Sequence, residues 1–255
     1  MRVLPDEMNK FFARYADTLV YRSVEPDLNR GKDSLEGFYH FIDIDRYGAY
    51  PFTELPRSYR EAAKKFGKAT VDTNGTVPWR IADYTSKLSD AMKRKDQEEI
   101  LTVAAYLGHY IADAHVPLHT VENYDGQLTN QKGLHSRWES RIPEMFGKKF
   151  RFDVAPAGYI KDPLAQAFEI VLESHLLADS VLELDLKARE GIPEGELMKA
   201  VERRGRTVYE LSEKYYARYY ELLNGMVERR LAASANRVAS YWYTAWVDAG
   251  KPELF

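Results

Sequence analysis

The run EEILTVAAYLGHYIADAHV at 98–116 constrains the fold more than any other part of the chain. It is apolar on most of its faces, so as a helix it has no side to turn toward water. It has to lie inside a bundle with other helices around it. Yet it carries His109, Asp113 and His115. Polar groups on a buried helix need partners. The segment therefore predicts a buried central helix. Pro117 ends or kinks that helix.

The flanking sequence supplies the surrounding elements. Met8, Phe11, Phe12, Tyr15, Leu19 and Val20 recur at helical period over 5–22. Pro and Gly interrupt 23–57, which predicts mostly irregular backbone. A short amphipathic helix is expected over 56–67, ending at Gly67. NGTVPW at 74–79 reads as a turn, with Pro78 suited to a helix start, and a helix is expected over 79–93. After Pro117 comes a polar loop with Gly126 and Gly133, then a helical pattern over 134–146 and a loop or short extended piece over 148–162. Long helices are expected over 163–189, 193–224 and 225–249. On this reading the Tyr-rich stripe at 209–220 is helix packing and ERRGR at 202–206 is a solvated helix face. Strand signals are nearly absent. The expectation is a single all-α domain over 1–255.

Composition narrows the function classes. A chain of 255 residues, 45% hydrophobic and 29% charged, has the make-up of an ordinary globular protein. Lys and Arg number 36 against 39 Asp and Glu, a net charge of −3. That balance gives no footprint for stable duplex DNA binding, though it leaves room for a local grip on a short single strand. No apolar run approaches a transmembrane span. The N-terminus carries acids early and has no continuous apolar stretch, so it does not read as a secretory signal. There is no cysteine. Any metal would therefore be held by His, Asp, Glu or backbone.

Of six histidines, His109, His115, His119 and His135 fall within 27 residues. His109 and Asp113 are four apart, and so are His135 and Glu139. Residues four apart share a helix face, so each pair presents an imidazole and a carboxylate to one point. That is the ligand type of catalytic zinc sites. His119, just past Pro117, is free to turn toward a second metal. A lone histidine is more often a core or surface residue with satisfied hydrogen bonds, and His175 reads that way. His115 reads as an outer residue hydrogen-bonding a ligand carboxylate.

The stretch GHYIADAHVPLHTVENYDGQLTNQKGLHSRWES resembles the core of the zinc-dependent phospholipase C / S1–P1 nuclease superfamily. Its signature, H-x3-D-x5-H followed after a loop by H-x3-E or H-x3-D, is present in order. FYHFIDIDRYG at 38–48 resembles the upstream ligand block, and EPDLNR at 25–30 the segment that brings in a metal-binding Asp. YWYTAWVDAGKPEL resembles the end of bacterial members. The resemblance implies an all-α, zinc-dependent hydrolase of phosphodiester bonds. Asp27, His40, His109 and Asp113 would bind one zinc, and His119, His135 and Glu139 another, with Asp113 bridging toward a third. Asp27 would also be the catalytic residue, as general base for the attacking water. Asp33, Asp43 and Asp45 compete with Asp27 for the upstream place, although Asp43 and Asp45 also suit orienting ligands or capping the loop.

In that family the third zinc takes the amino group and carbonyl of an N-terminal Trp and a His a few residues later. Here no His precedes His40, the first Trp is Trp79, and Met1 offers only its amine. Two zincs are therefore expected from the ligands present, against three in the family. The missing ligands point either to a trimmed start or to a lost third site.

Glu139 in place of Asp leans toward phospholipase C and a phospholipid head group. A single-strand-specific nuclease or 3′-nucleotidase is the alternative, and a non-catalytic zinc-binding relic a third. Phe38, Tyr39, Phe41, Tyr47, Tyr50, Phe52 and Tyr124 lie near the ligand blocks. They suit base stacking or a choline cation, with core packing the competing role for each.

Overall fold

In the computed structural model, which describes residues 3–203 and 205–254, helices dominate. The N-terminal apolar period breaks at Tyr15 into α1 (Asp6–Arg14) and α2 (Ala16–Arg22). A short α3 (Glu25–Asn29) follows, then two single 3-10 turns at Glu36–Tyr39 and Ile44–Tyr47 within otherwise irregular chain. The helix expected over 56–67 is α4 (Tyr59–Phe66), stopped by Gly67 at φ +89°. Next come α5 (Lys68–Thr73) and α6 (Val77–Arg94), with Pro78 in the first turn of α6.

The central run forms α7 (Gln97–Ala114), whose start is capped by Asp96 accepting the Glu99 amide. Such a cap satisfies one of the free amides of a first turn. Beyond Pro117 a 3-10 turn spans Pro117–Thr120. The 134–146 segment is helical in three pieces: α8 (Leu134–Ser136), a π turn over Arg137–Arg141, and α9 (Ile142–Phe146). The long α10 (Pro163–Arg189) is next.

The helix expected over 193–224 is not continuous. A short α11 (Glu194–Leu197) leads into an antiparallel hairpin, β1 (Met198–Arg203) and β2 (Arg206–Leu211), and only then α12 (Glu213–Leu223). Gly205 at φ +73° makes the turn. The described residues of ERRGR thus lie at a hairpin tip, not on a helix face, with position 204 outside the described residues. The physical reason is visible afterwards: KAVER and RTVYEL alternate and carry β-branched residues, a period-2 pattern. Ser212 then caps α12 by accepting the Tyr215 amide. Tyr209 is exposed on β2, whereas Tyr215, Tyr216 and Tyr219 pack inward from α12. The C-terminal helix is α13 (Met226–Asp248). The fold class remains all-α.

The core divides in two. In one part α6, α7 and α13 pack together, with Phe12 of α1 stacked on Trp242 of α13 at 4.4 Å between centroids. The second forms where α10 and α12 meet the 116–121 and 134–150 segments. The C-terminal end of α7 lies between these two clusters, and this is where the histidines converge. No helix among the described residues is long and apolar enough to cross a membrane.

Candidate metal centre

Five segments of the chain supply the polar centre. The last turns of α7 bring His109 and Asp113, one turn apart, with His109 Nε2 3.2 Å from Asp113 Oδ2. His40 follows the first 3-10 turn, and its Nδ1 lies 2.8 Å from Asp113 Oδ2 and 3.0 Å from His109 Nε2. The α3 segment brings Asp27, whose Oδ1 is 3.7 Å from His40 Nδ1 and 3.9 Å from His109 Nε2. The 3-10 turn after Pro117 aims His119 at His135, with Nε2 atoms 2.9 Å apart. Glu139 Oε2 sits 2.5 Å from His135 Nε2 and 3.5 Å from His119 Nε2. The π turn carries Glu139, and α8 just before it carries His135; such turns recur at functional sites.

Among the described residues two groups could hold a cation: Asp27, His40 and His109, and His119, His135 and Glu139. Asp113 stands between them. Its Oδ2 faces the first group, while its Oδ1 is 3.8 Å from the far nitrogen of His119. All seven residues singled out from the sequence thus converge. Of the competitors to Asp27, Asp33 accepts the Leu35 amide and Asp45 accepts the Glu122 amide, tying down the 121–124 loop. Asp43 lines the cleft beside the centre.

The donor chemistry fits zinc. Zn–N bonds of ~2.0–2.1 Å in a tetrahedron put donors roughly 3.3 Å apart, and the spacings in the first group bracket that figure. His119 donates through Nδ1 to the His40 carbonyl at 2.7 Å. Its neutral ring therefore presents a bare acceptor, Nε2, to another imidazole nitrogen and a carboxylate. Converging acceptors of this kind could hold a cation. Three donors in the second group would leave a fourth position of a tetrahedral ion for water or substrate.

The electrostatics agree with this geometry. Burial disfavours the Asp113 carboxylate, but His109, His119 and His40 outweigh it and hold its carboxyl far below the usual range. Burial also opposes charge on His119, yet Asp113 and Glu139 push it up to about 9. Burial opposes ionisation of Glu139, and His119 and His135 bring it down to about 2. His109 is raised, burial being outweighed by Asp113 and Asp27. Without metal the His119 ring thus holds an extra proton, which a bound cation would have to displace.

His115 does not reach a ligand carboxylate. Its Nδ1 donates to the Ile111 carbonyl at 2.7 Å, one turn back on α7, and burial with the nearby Arg230 pushes it down to about 3. His175 reaches the Thr120 carbonyl at 3.2 Å and meets Phe52 edge-on, a packing role as expected. Met1 lies outside the described residues.

One acid was missed from sequence. Glu36, only 4% exposed, lies 3.5 Å from the far nitrogen of His40. Burial opposes its ionisation, but His40, Tyr110 and Arg80 together hold its carboxyl below the ordinary glutamate value. Its spacing of four residues from His40 was the available signal.

A cleft of ≈ 400 Å³ opens over the centre, lined by His40, His119 and His135 together with Arg30, Phe41, Asp43, Glu122 and Tyr124. Burial, with Asp45 and Glu122 nearby, pushes Asp43 up to about 7. Of the aromatic candidates only Phe41 and Tyr124 reach this cleft. Phe38 and Tyr39 line a separate hollow with Trp79, Tyr47 and Phe52 are buried in the core, and Tyr50 is exposed.

No curated protein matches the sequence. The family model described as S1/P1 Nuclease matches residues 5–245, a span that takes in every ligand segment described above. That family is zinc-dependent, helical and hydrolyses phosphodiester bonds, so the likeness of signature, fold and polar centre has one conclusion: this chain belongs to the S1/P1 nuclease family.

Proposed function

We propose that the chain is a zinc-dependent nuclease acting on single-stranded nucleic acid or on nucleotide phosphoesters. The observation that carries this is the pair of acceptor triads on either side of Asp113, opening into a cleft that also contains Phe41 and Tyr124. Asp27, His40, His109 and Asp113 would hold one zinc, and His119, His135 and Glu139 a second. When bound, zinc supplies charge stabilisation at the phosphoryl oxygens and acidifies water. The protein's own groups do the rest. Asp27, half exposed and paired with Arg30 at 3.0 Å, accepts the proton of the attacking water. Arg30 adds positive charge where the phosphate approaches. Phe41 and Tyr124 provide stacking faces that tolerate any base.

The phospholipase C expectation rests on Glu139 alone, one methylene longer than Asp. The nuclease reading is preferred because the matched family is the nuclease one. Elemental analysis should find about two zincs per chain, the number of acceptor groups among the described residues. The zinc-loaded protein should cleave single-stranded DNA and spare short phosphocholine esters. Cleavage of the esters alone would restore the phospholipase reading. Bound zinc with no hydrolysis of either would make the chain a non-catalytic relic.

A further inference from the structure

We propose that Glu36 is a positioning residue that fixes the tautomer and orientation of His40 and thereby sets the metal affinity of one half of the centre. The inference rests on the zinc reading above. His40 is 1% exposed, and its Nδ1 is the atom turned to Asp113, His109 and Asp27. To accept a cation there the ring must carry its proton on Nε2. That nitrogen is buried and has no hydrogen-bond partner among the described residues. The carboxylate beside it is Glu36, with Oε1 at 3.5 Å. At that distance no hydrogen bond exists, but a few tenths of an ångström closes it, and such bonds in metal-free sites often tighten when the site is loaded.

Glu36 is itself braced. Tyr110 of α7 donates its hydroxyl to Oε1 at 2.5 Å. The Arg80 guanidinium of α6 lies 3.7 Å from Oε2 and is held between the rings of Tyr39 and Tyr84, at 3.8 and 4.4 Å from their centroids. A buried carboxylate fixed by two helices is an expensive feature unless it serves a partner. A carboxylate behind a metal-ligating imidazole orients the ring and raises its basicity, and its loss typically weakens metal affinity ~10–100-fold. The other half of the centre uses a different device, the His119 Nδ1 bond to the His40 carbonyl. Glu36 therefore acts on one site directly and leaves the other untouched.

The test is a zinc titration of the full chain against a chromophoric chelator, for wild type, Glu36→Gln and Glu36→Asp. We expect Glu36→Gln to weaken one site ~10–100-fold and leave the second within about twofold, with Glu36→Asp intermediate. Far-ultraviolet circular dichroism of the metal-free proteins should coincide. Long-range proton–nitrogen NMR on zinc-loaded wild type should find the His40 proton on Nε2, a readout that needs no variant. Affinities at both sites unchanged from wild type in Glu36→Gln, or equal weakening of both, would overturn the proposal. So would a proton on Nδ1 of His40. Wild type that binds no zinc would overturn the metal reading as well, which separates the two failures.

Discussion

Gly75→Ala should unseat the metal centre from a position that touches no ligand. Gly75 is buried at φ +87°, and a Cβ built there would stand 2.2 Å from the Phe41 carbonyl oxygen and 2.7 Å from its carbon. The backbone has to move by about 1 Å to restore ordinary contact. Four backbone hydrogen bonds lock this region. The Thr76 amide donates to Phe38 (2.8 Å), Val77 to Phe41 (3.2 Å), Asp43 to Asn74 (2.7 Å) and Ile42 to His119 (2.9 Å). A non-glycine residue at positive φ costs ~1–2 kcal/mol, overpacking typically ~1–3 kcal/mol, and each weakened hydrogen bond ~1 kcal/mol at most. With one such hydrogen bond weakened, these sum to about 3–6 kcal/mol. In urea, with a slope of ~3 kcal/mol per molar, the midpoint should fall by roughly 1 M or more. The measurement is made on metal-free protein in chelator, with Gly31→Ala as control, since nothing lies within 4 Å of a Cβ there. The same displacement pulls the His40 carbonyl from His119, so zinc affinity should fall too. A midpoint within 0.3 M of wild type, or lost stability with unchanged zinc affinity, would refute the argument.

Three other outcomes follow from the same geometry. His119→Ala should abolish phosphodiester hydrolysis and lower zinc content by about one per chain with helix content kept; retained activity would remove His119 from the centre. Asp185, fully buried, takes the Arg137 Nε (3.0 Å), Gln131 Nε2 (2.9 Å), Arg189 and the Tyr215 hydroxyl. Asp185→Ala strands a buried guanidinium beside the His135–Glu139 turn and should cost ~3–5 kcal/mol, read as a fall of ~10 °C in Tm. Asp43→Asn should stabilise the metal-free protein in one pH window only. The folded state holds the Asp43 proton up to about pH 7 against an ordinary 3.8, so wild type loses stability as pH rises from about 4 through 7. The variant's advantage should be absent below about pH 4 and full above about pH 7; a pH-independent difference in denaturation midpoint would contradict this.

Much of the candidate centre was legible because its histidines and carboxylates obey local periodicity. His109 with Asp113, and His135 with Glu139, are single-turn pairs, and a turn of helix holds its geometry wherever the helix packs. The buried character of α7 was legible for the same reason. So was the break at Pro117, which no helix interior can absorb without losing a hydrogen bond. The 198–211 hairpin was not, because six-residue strands weigh little against the strong helical periods on both sides.

What the sequence by itself determined is therefore the inventory: a helical chain, a buried central helix, and histidines and carboxylates at spacings that share a face. Only the tertiary structure decided which distant acids join them. Asp27, Asp33, Asp43 and Asp45 are chemically equivalent in sequence, yet only Asp27 sits within 4 Å of both His40 and His109. Glu36 became visible as the brace behind His40 only once α6 and α7 had brought Arg80 and Tyr110 to it. The reason is physical: spacing along a helix is set by backbone hydrogen bonds within one segment. The approach of one segment to another is set by how side chains pack across the whole core.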